Sequence, residues 1–193
     1  MVMLGKANMS EFASGSSGKN AFFGDVHNPW DPARAPGGSS SGTGAAVSAG
    51  MCAVGVGTDA GGSIRQPSSR CGIFGMRPTF GRISLAGVWP RTRTLGTAGP
   101  MTRCVKDAAL MMTALAGYDP AYPYSLDVAA EDFTSQLDRG VAGIRLGIID
   151  GYTFSDIDPE IEAVLRSAVD VLDRLGADIV EVIAHQSLGC GAP

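Results

Sequence analysis

Two turns rich in serine and glycine are the part of this sequence whose residue types could carry chemistry. The first lies at residues 37–42, with the sequence GGSSSG, and the second at residues 59–63, with the sequence DAGGS. Consecutive glycines leave backbone N–H groups unshielded, so that they can converge on a developing negative charge. Such an oxyanion hole beside an alcohol is what acyl transfer requires, and losing one donor slows the reaction roughly 10²–10³-fold. The second turn therefore predicts Ser63 as a nucleophile.

A serine hydroxyl is a weak nucleophile and requires a base to accept its proton. The sequence has two histidines, His27 and His185, and neither stands near a carboxylate at a spacing that indicates a Ser-His-Asp triad. The alternative is a relay of two hydroxyls and a neutral lysine, whose pKa must be lowered by burial or by neighbouring positive charge. On residue types alone both arrangements stay open, with the triad weakly supported.

The elements between the two turns have to bring them together. Residues 43–51 are rich in alanine and other small residues, which predicts a helix that packs closely against a sheet. Residues 52–58 alternate valine with small residues and predict a short buried strand. Because the chain leaves along the helix and returns along the strand, we expect both turns at the same end, where Ser39 and Ser63 can meet.

The remaining elements extend this unit into an α/β fold. Residues 1–36 are rich in turn signals, with a short helical turn expected at residues 8–12 and Trp30 as the hydrophobic anchor. The order of strand, helix and strand over residues 144–182 predicts a parallel βαβ unit with a right-handed crossover. Strands are predicted at residues 72–76, 144–149 and 178–182, and helices at 103–116 and 158–175.

Composition excludes several classes of function. The chain carries 15 Lys plus Arg against 19 Asp plus Glu and shows no basic run, so direct nucleic-acid binding is not expected. The longest small-apolar run, at residues 45–57, is too short and too interrupted for a membrane span. No metal and no organic cofactor is expected. The cysteines match no zinc pattern and are expected to be buried free thiols of a cytoplasmic protein: Cys52, Cys71, Cys104 and Cys190.

Three shorter motifs compete with this interpretation, and each is weak. Residues 38–42 fit G-x-S-x-G, but that nucleophile elbow needs a hydrophobic strand before it, which the preceding proline-containing stretch cannot form. Residues 55–60 fit a loosened dinucleotide fingerprint, but Pro67 and two glycines argue against a helix opening after it. Residues 15–20 are similar to a phosphate loop that lacks its first glycine and the Ser or Thr after lysine.

The sequence resembles the amidase signature family over nearly its whole length. Residues 37–79, which contain both turns, closely resemble the serine- and glycine-rich signature of that family, and this long block is highly specific. Ser41 is a departure within the block, because the family usually has glycine there, and we expect the change to be tolerated. Shorter matching segments are residues 5–13 (GKANMSEFA), 28–31 (NPWD) and 99–103 (GPMTR), together with the βαβ unit.

The resemblance implies a role for each residue of the two turns. Ser63 would be the acylated nucleophile. Ser39, held by a cis peptide bond, would pass the proton of Ser63 towards a lysine and later return one to the leaving amine. Ser40 would support this network by hydrogen bonding, while Asp59 and Arg65 would pair and brace the turn around the nucleophile. The N–H groups that would form the oxyanion hole are those of Ala60, Gly61, Gly62 and Ser63.

The lysine of the family lies in a Lys-Asp motif upstream of the segment that matches residues 5–13, and so outside this sequence. The lysines present are Lys6, Lys19 and Lys106, and none of them matches that position. We therefore expect residues 1–193 to be a partial amidase signature domain and the chain as given to be inactive. Its expected parts are an irregular lead-in at residues 1–36, the serine- and glycine-rich core at 37–117, a connection at 118–143 and the βαβ unit at 144–182.

The predicted fold is α/β, with a mixed, largely parallel sheet flanked by helices and incomplete at both ends. The predicted function is hydrolysis of a carboxylic amide to an acid and ammonia or an amine, through an acyl-serine intermediate. Two alternatives stay open: the glutamine-hydrolysing A subunit of a tRNA-dependent amidotransferase, and a non-catalytic fragment. The expected partners are a small-molecule amide and either a second copy, as a homodimer, or the other amidotransferase subunits.

Overall fold

The computed structural model describes residues 2–182, so the predictions made for His185 and Cys190 lie outside the described residues. The chain forms two units, Met1–Gln136 and Leu137–Pro193, and each has its own sheet. The boundary between the units falls within the connection predicted at residues 118–143.

From residue 2 onwards, the first unit contains three strands and three α-helices. They are α1 (Ser41–Ser48), β1 (Val54–Asp59), α2 (Arg65–Cys71), β2 (Phe74–Gly75), β3 (Thr97–Thr102) and α3 (Val105–Leu115). The strands form an antiparallel sheet in the order β1-β3-β2. Strand β1 pairs with β3 from Val54 opposite Thr102 to Asp59 opposite Thr97, so that the second turn follows directly from the edge strand of the sheet.

The second unit is a small βαβ arrangement. Up to residue 182 it has a 3₁₀ turn (Leu137–Arg139) followed by β4 (Arg145–Ile148), α4 (Asp150–Thr153), α5 (Pro159–Arg174) and β5 (Asp178–Glu181). Strands β4 and β5 pair in parallel, as the order of elements predicts. Asp158 caps α5 by accepting the N–H of Glu160 at 2.8 Å. Pro159 fits the first helical position because its missing N–H is not needed there.

The α/β fold with mixed strand directions is confirmed by this combination of antiparallel and parallel pairs. Every strand pair described in the first unit is antiparallel, so parallel pairing is less common there than the sequence predicts. No helix within residues 2–182 is both long and apolar enough to cross a membrane.

The central strand β3 is not predicted from the sequence, because it contains Gly99 and Pro100. Proline has no N–H and is normally excluded from central strands. Here the carbonyl of Pro100 accepts the N–H of Met76, one residue beyond β2, with N···O 3.0 Å. The nitrogen and the carbonyl of a strand residue point to the same side, so the nitrogen of Pro100 also faces the β2 side. The N–H that proline lacks would therefore lie just beyond the end of the two-residue strand β2, where little pairing is lost. All six residues of β3 are buried.

Helix α2 corrects the expectation that Pro67 prevents a helix after the second turn. The helix begins at Arg65, so Pro67 lies in its first turn, where backbone N–H groups have no partner inside a helix. Gly72 ends the helix with a φ of +67°, a left-handed conformation that glycine adopts without strain. The second turn is thus held between β1 and α2.

Small residues let α1 approach its neighbours closely, as expected. A Cβ at Gly44 would lie 3.1 Å from the Cβ of Pro67 in α2, and a Cβ at Gly55 in β1 would lie 2.5 Å from Cγ2 of Thr43. The helix spans Ser41–Ser48, somewhat earlier than the predicted residues 43–51. The hydroxyl of Ser40, which immediately precedes α1, bonds the backbone of Thr58, so the start of α1 and the end of β1 lie side by side.

Hydrogen bonds, rather than burial of Trp30, hold the lead-in. The Trp30 side chain is 72% exposed, which corrects its prediction as a hydrophobic anchor. Its indole N–H donates to the carbonyl of Cys71 at 2.8 Å, and the buried Asn28 donates to the carbonyl of Arg70 at 2.9 Å. Both bonds tie the lead-in to the end of α2. A 3₁₀ turn, Glu11–Ala13, stands where the sequence predicts a helical turn at residues 8–12.

The cysteines differ from one another in exposure. Cys71 is buried as predicted, Cys52 is partly exposed and Cys104 is exposed. Cys104 corrects the prediction because it precedes α3, whose first residue, Val105, is itself 50% exposed. Helix α3 turns its later residues inwards instead: Ala108, Ala109, Met111 and Met112 are buried.

Candidate active site

The two serine- and glycine-rich turns lie side by side. The N–H of Ser40 in the first turn donates to the carbonyl of Ser63 in the second, with N···O 3.1 Å. Ser39 and Ser63 both line one cavity of about 530 Å³ in the first unit. The structure therefore brings to one cavity the two hydroxyl residues that sequence reasoning selects.

The first turn fixes the main chain of Ser39 and leaves its hydroxyl available. The peptide bond between Gly38 and Ser39 is cis. The carbonyl of Ser39 accepts the N–H of Ser10 at 3.1 Å. Ser39 is fully buried, and its Oγ has no hydrogen-bond partner among residues 2–182. A hydroxyl in this position can accept and donate a proton without breaking a contact that the described fold uses.

Two glycines make the path of the first turn possible. Gly37 has a φ of +83°, and a Cβ there would lie 2.8 Å from Cα of Pro67. Gly42 donates its N–H to the carbonyl of Asn8 at 2.9 Å, and a Cβ at Gly42 would collide with the same backbone. Glycine is required at both positions because backbone atoms, which cannot move aside like a flexible side chain, occupy the space.

Ser40 joins the first turn to β1. Its hydroxyl donates to the carbonyl of Thr58 at 3.2 Å and accepts the N–H of the same residue at 3.1 Å. The hydroxyl of Ser41 makes a single, longer bond of 3.4 Å to the carbonyl of Ser39. By geometry, Ser40 contributes more than Ser41 to the position of the turn.

Asp59, the last residue of β1, organises the second turn. The residue is 1% exposed. Its carboxylate accepts the backbone N–H groups of Gly62 at 2.7 Å, Ile64 at 3.1 Å and Arg65 at 3.3 Å. The chain therefore wraps around a buried carboxylate, which fixes the direction of these N–H groups.

Two arginines neutralise this carboxylate. Arg65 donates to it through Nε at 3.0 Å and Nη2 at 3.1 Å, and the Nε of Arg77 lies 3.5 Å from Oδ1. Burial alone would raise the pKa of Asp59, but hydrogen bonds from Arg65 and from the three backbone N–H groups lower it to about 2. Sequence reasoning does not identify Arg77, because it lies beyond β2 and no local pattern links it to Asp59.

The donors predicted for the oxyanion hole fall into two sets. The N–H groups of Ala60, Gly61 and Ser63 have no acceptor among the described residues, and a Cβ at Gly61 would meet nothing within 4 Å. The N–H of Gly62 donates to Asp59 instead. This corrects the assignment of Gly62 to the oxyanion hole, because one N–H cannot point both at the buried carboxylate and into the cavity.

The rest of the cavity wall combines apolar and aromatic side chains with two arginines, Arg91 and Arg93. Sequence reasoning missed these residues, because they lie in loops whose sequence has no periodic pattern. The rings of Tyr122 and Tyr124 contact each other with their centroids 5.8 Å apart. Apolar and aromatic residues of the wall include Met9, Leu85, Val88, Trp89, Tyr122 and Tyr124.

The other candidate nucleophile and base lie elsewhere. Cys71 is fully buried, and burial raises the pKa of its thiol. His27 is exposed, with Nδ1 3.2 Å from the carbonyl oxygen of Pro32. Within residues 2–182, no lysine or histidine side chain lines the cavity.

Comparison with known proteins gives consistent matches. The family described as Amidase matches residues 1–188 of this chain. The A subunit of the glutamyl-tRNA(Gln) amidotransferase of Synechococcus sp. (strain RCC307) is 45% identical over 181 residues, which cover 94% of this chain and 37% of the relative.

Solved structures match over a similar extent. The A subunit of the glutamyl-tRNA(Gln) amidotransferase from Thermotoga maritima superposes with a TM-score of 0.90 at 40% identity, covering 94% of this chain and 40% of that one. The native peptide amidase from Stenotrophomonas maltophilia gives a TM-score of 0.82 at 36% identity, and the match covers 93% of this chain and 38% of the peptide amidase. The chain thus spans 37% to 40% of the length of these three proteins.

Proposed function

The chain belongs to the Amidase family, and we propose that it supplies the nucleophile and the relay serine of an amide hydrolase. The reaction releases ammonia or an amine from a carboxylic amide, at C–N bonds other than peptide bonds. The observation that carries the proposal is that Ser39 and Ser63 line one cavity, on turns joined by the Ser40–Ser63 backbone hydrogen bond.

The chemistry runs through an acyl-Ser63 ester. The Oγ of Ser63 attacks the amide carbonyl while its proton passes to the Oγ of Ser39, which gives its own proton to a base. When the tetrahedral intermediate collapses, the C–N bond breaks and the amine leaves with a proton returned through Ser39. Water then attacks the ester by the same relay and releases the acid. A positioned proton relay of this kind contributes roughly 10²–10⁴-fold to the rate.

The N–H groups of Ala60, Gly61 and Ser63 are the proposed oxyanion donors. They have no acceptor among the described residues, and they belong to a turn that the buried carboxylate of Asp59 holds in place. Donors that are already oriented stabilise a developing negative charge without reorganisation, which makes such sites effective in catalysis.

The base in this proposal is a lysine from outside the described residues. The buried Oγ of Ser39 has no hydrogen-bond partner within residues 2–182, so it is available to bond the amine of a neutral lysine. Burial there would also lower the pKa of the lysine, as a base requires. We therefore expect the 193-residue chain alone to hydrolyse unactivated amides far more slowly than any form that supplies this lysine.

A second candidate is the A subunit of a tRNA-dependent amidotransferase. The Synechococcus and Thermotoga relatives, both named as the A subunit of a glutamyl-tRNA(Gln) amidotransferase, favour it. In that function glutamine is the amide, and the ammonia passes to the other proteins of a complex. Glutamine hydrolysis that accelerates when candidate partner proteins and charged tRNA are added supports this candidate, and rapid hydrolysis of simple amides by a homodimer supports the first.

Acylation by an activated ester tests the nucleophile with less demand on the proposed base than amide hydrolysis, because nitrophenolate leaves without being protonated. We expect mass spectrometry after reaction with a p-nitrophenyl ester to locate one acyl group on the peptide that contains Ser63. Ser63→Ala should abolish this adduct. In any form that turns over amides, the same substitution should reduce kcat at least about 10³-fold.

Ser17→Ala is the matched control, since Ser17 is an exposed serine in another serine- and glycine-rich turn and does not line the cavity. It should leave the adduct unchanged. An adduct of equal yield in Ser63→Ala, or amide turnover retained by that variant, contradicts the assignment of the nucleophile.

A further inference from the structure

Two arginines on the cavity wall have no partner in the described part of the chain. Arg91 and Arg93 line the cavity, and neither makes an ion pair or a hydrogen bond with any residue within 2–182. Thr92, between them in sequence, also lines the cavity, and its Oγ1 is buried without a hydrogen-bond partner among those residues. The two arginines thus present donors that the described fold does not use.

The wall contributes no free anion to neutralise these charges. As far as the chain is described, Asp59 is the acidic residue of the wall, and its buried carboxylate already accepts three backbone N–H groups. The same carboxylate is paired with Arg65 and Arg77. The cavity therefore presents two positive charges to whatever enters it.

The apolar and aromatic side chains of the wall indicate that a ligand of this cavity also has an apolar part. Side chains such as Leu85, Val88, Trp89 and Tyr122 line the same cavity, and such surfaces bury the apolar body of a small molecule. A guanidinium group binds a carboxylate through two parallel N–H···O bonds, which fixes the orientation of the ligand as well as attracting it.

We propose that the cavity selects amides whose acyl part joins an apolar body to a carboxylate, with Arg91 and Arg93 binding the carboxylate. This inference rests on the proposed function and names its class of substrate. Both arginines are exposed, so the attraction is screened by salt and each contact contributes modestly.

The test measures binding in the full chain carrying Ser63→Ala, so that turnover does not interfere. Three benzamides of similar shape serve as probes: anionic 4-carbamoylbenzoate, neutral 4-nitrobenzamide and cationic 4-(aminomethyl)benzamide. Ligand-observed NMR titrations give each Kd. At about 50 mM NaCl we expect the anionic compound to bind roughly tenfold more tightly than the neutral one and the cationic compound to bind most weakly.

Substitution of the arginines should remove this preference. In the double variant Arg91→Gln/Arg93→Gln, the Kd values of the anionic and the neutral compound should agree within about twofold. Each single substitution should leave an intermediate preference for the anionic compound. Arg103→Gln is the matched control, because Arg103 is an exposed arginine that does not line the cavity. It should leave the preference intact, whereas raising NaCl to about 0.5 M should weaken it.

Equal affinity for the three compounds, no detectable binding of 4-carbamoylbenzoate, or a preference that survives the double substitution overturns the inference. The proposed function has a separate readout, the acyl group on Ser63. Acylation of Ser63 together with equal affinities would reject the substrate class alone, while an anionic preference together with an adduct that survives Ser63→Ala would reject the nucleophile alone.

Discussion

The two serine- and glycine-rich turns meet at one cavity, but different forces hold them. Backbone contacts fix the first turn: Gly37 and Gly42 lie against neighbouring main chain where a Cβ would not fit. Its hydroxyl at Ser39 has no partner among the described residues. Charge fixes the second turn, because Asp59 binds three N–H groups and is paired with the guanidinium groups of Arg65 and Arg77.

This difference matches what acyl transfer requires of each turn. A hydroxyl that relays a proton must exchange partners during the reaction, so the fold cannot depend on its hydrogen bonds. Oxyanion donors, by contrast, must keep their direction while charge develops. A turn held by a buried carboxylate meets that requirement. We therefore expect the relay hydroxyl of the first turn to affect rate and the carboxylate of the second turn to affect stability.

Ser39→Ala should produce the largest effect, and it should be an effect on rate. In a form of the protein that supplies the proposed lysine, we expect loss of the relay hydroxyl to slow acylation of Ser63 by an activated ester about 10²–10⁴-fold. The free energy of unfolding should change by less than about 0.5 kcal/mol, because the deleted Oγ has no hydrogen-bond partner among residues 2–182. Burst-phase kinetics and urea unfolding measure the two quantities.

Ser17→Ala again controls for loss of a hydroxyl from a serine- and glycine-rich turn and should change neither quantity. A Ser39→Ala protein that unfolds more easily but acylates at the wild-type rate would reverse the comparison. Ser39 would then be a structural residue, and the first turn would depend on its hydroxyl after all.

Asp59→Asn should produce the largest effect on stability. The substitution removes a buried carboxylate that accepts three backbone N–H groups and pairs with Arg65, and we expect a loss of about 2 kcal/mol because the half-exposed Arg65 regains water. Asp31→Asn is the matched control, since the Asp31–Arg34 pair is exposed and contributes less than about 1 kcal/mol. If Asp59→Asn and Asp31→Asn lost the same free energy of unfolding in urea at neutral pH, the buried charge would not hold the second turn.

The stability difference between wild type and Asp59→Asn should also depend on pH. The pKa of Asp59 falls from its ordinary 3.8 to about 2 in the folded chain, so the unfolded chain binds this proton more readily. The resulting stability is fully present above about pH 4 and is lost as the pH falls through about 2. The shift corresponds to about 2 kcal/mol. We expect the difference to narrow by that amount over this range, and parallel pH profiles would contradict the assignment.

How well the sequence predicts an element depends on how local its cause is. Helix α5 is predictable because its cap, Asp158, and its opening proline, Pro159, lie at its own start. Strand β3 and helix α2 are not, because Pro100 and Pro67 argue against a strand and a helix when each segment is considered alone. What permits them is position, at the end of a short neighbouring strand and in the first turn of a helix.

The site shows the same limit. Both turns are recognisable because their serines and glycines are adjacent in sequence, whereas Arg77 and Arg91 reach the site only through the fold. Gly62 adds a second reason. Residue type predicts that an N–H donor exists, but its direction follows from the backbone angles of the turn, and at Gly62 they point it at Asp59.

The smallest effect expected distinguishes two neighbouring serines of the first turn. Ser40→Ala removes a hydroxyl that bonds both the N–H and the carbonyl of Thr58, so we expect a loss of about 1–2 kcal/mol in urea unfolding. Ser41→Ala removes one bond of 3.4 Å, which should cost less than about 0.5 kcal/mol. Thr58 belongs to β1, so a larger loss of stability in Ser40→Ala than in Ser41→Ala would mean that contacts with neighbouring segments position the turn. A larger loss in Ser41→Ala would mean that hydroxyls within the turn hold it, and the contrast with the ion-paired second turn would no longer rest on backbone contacts.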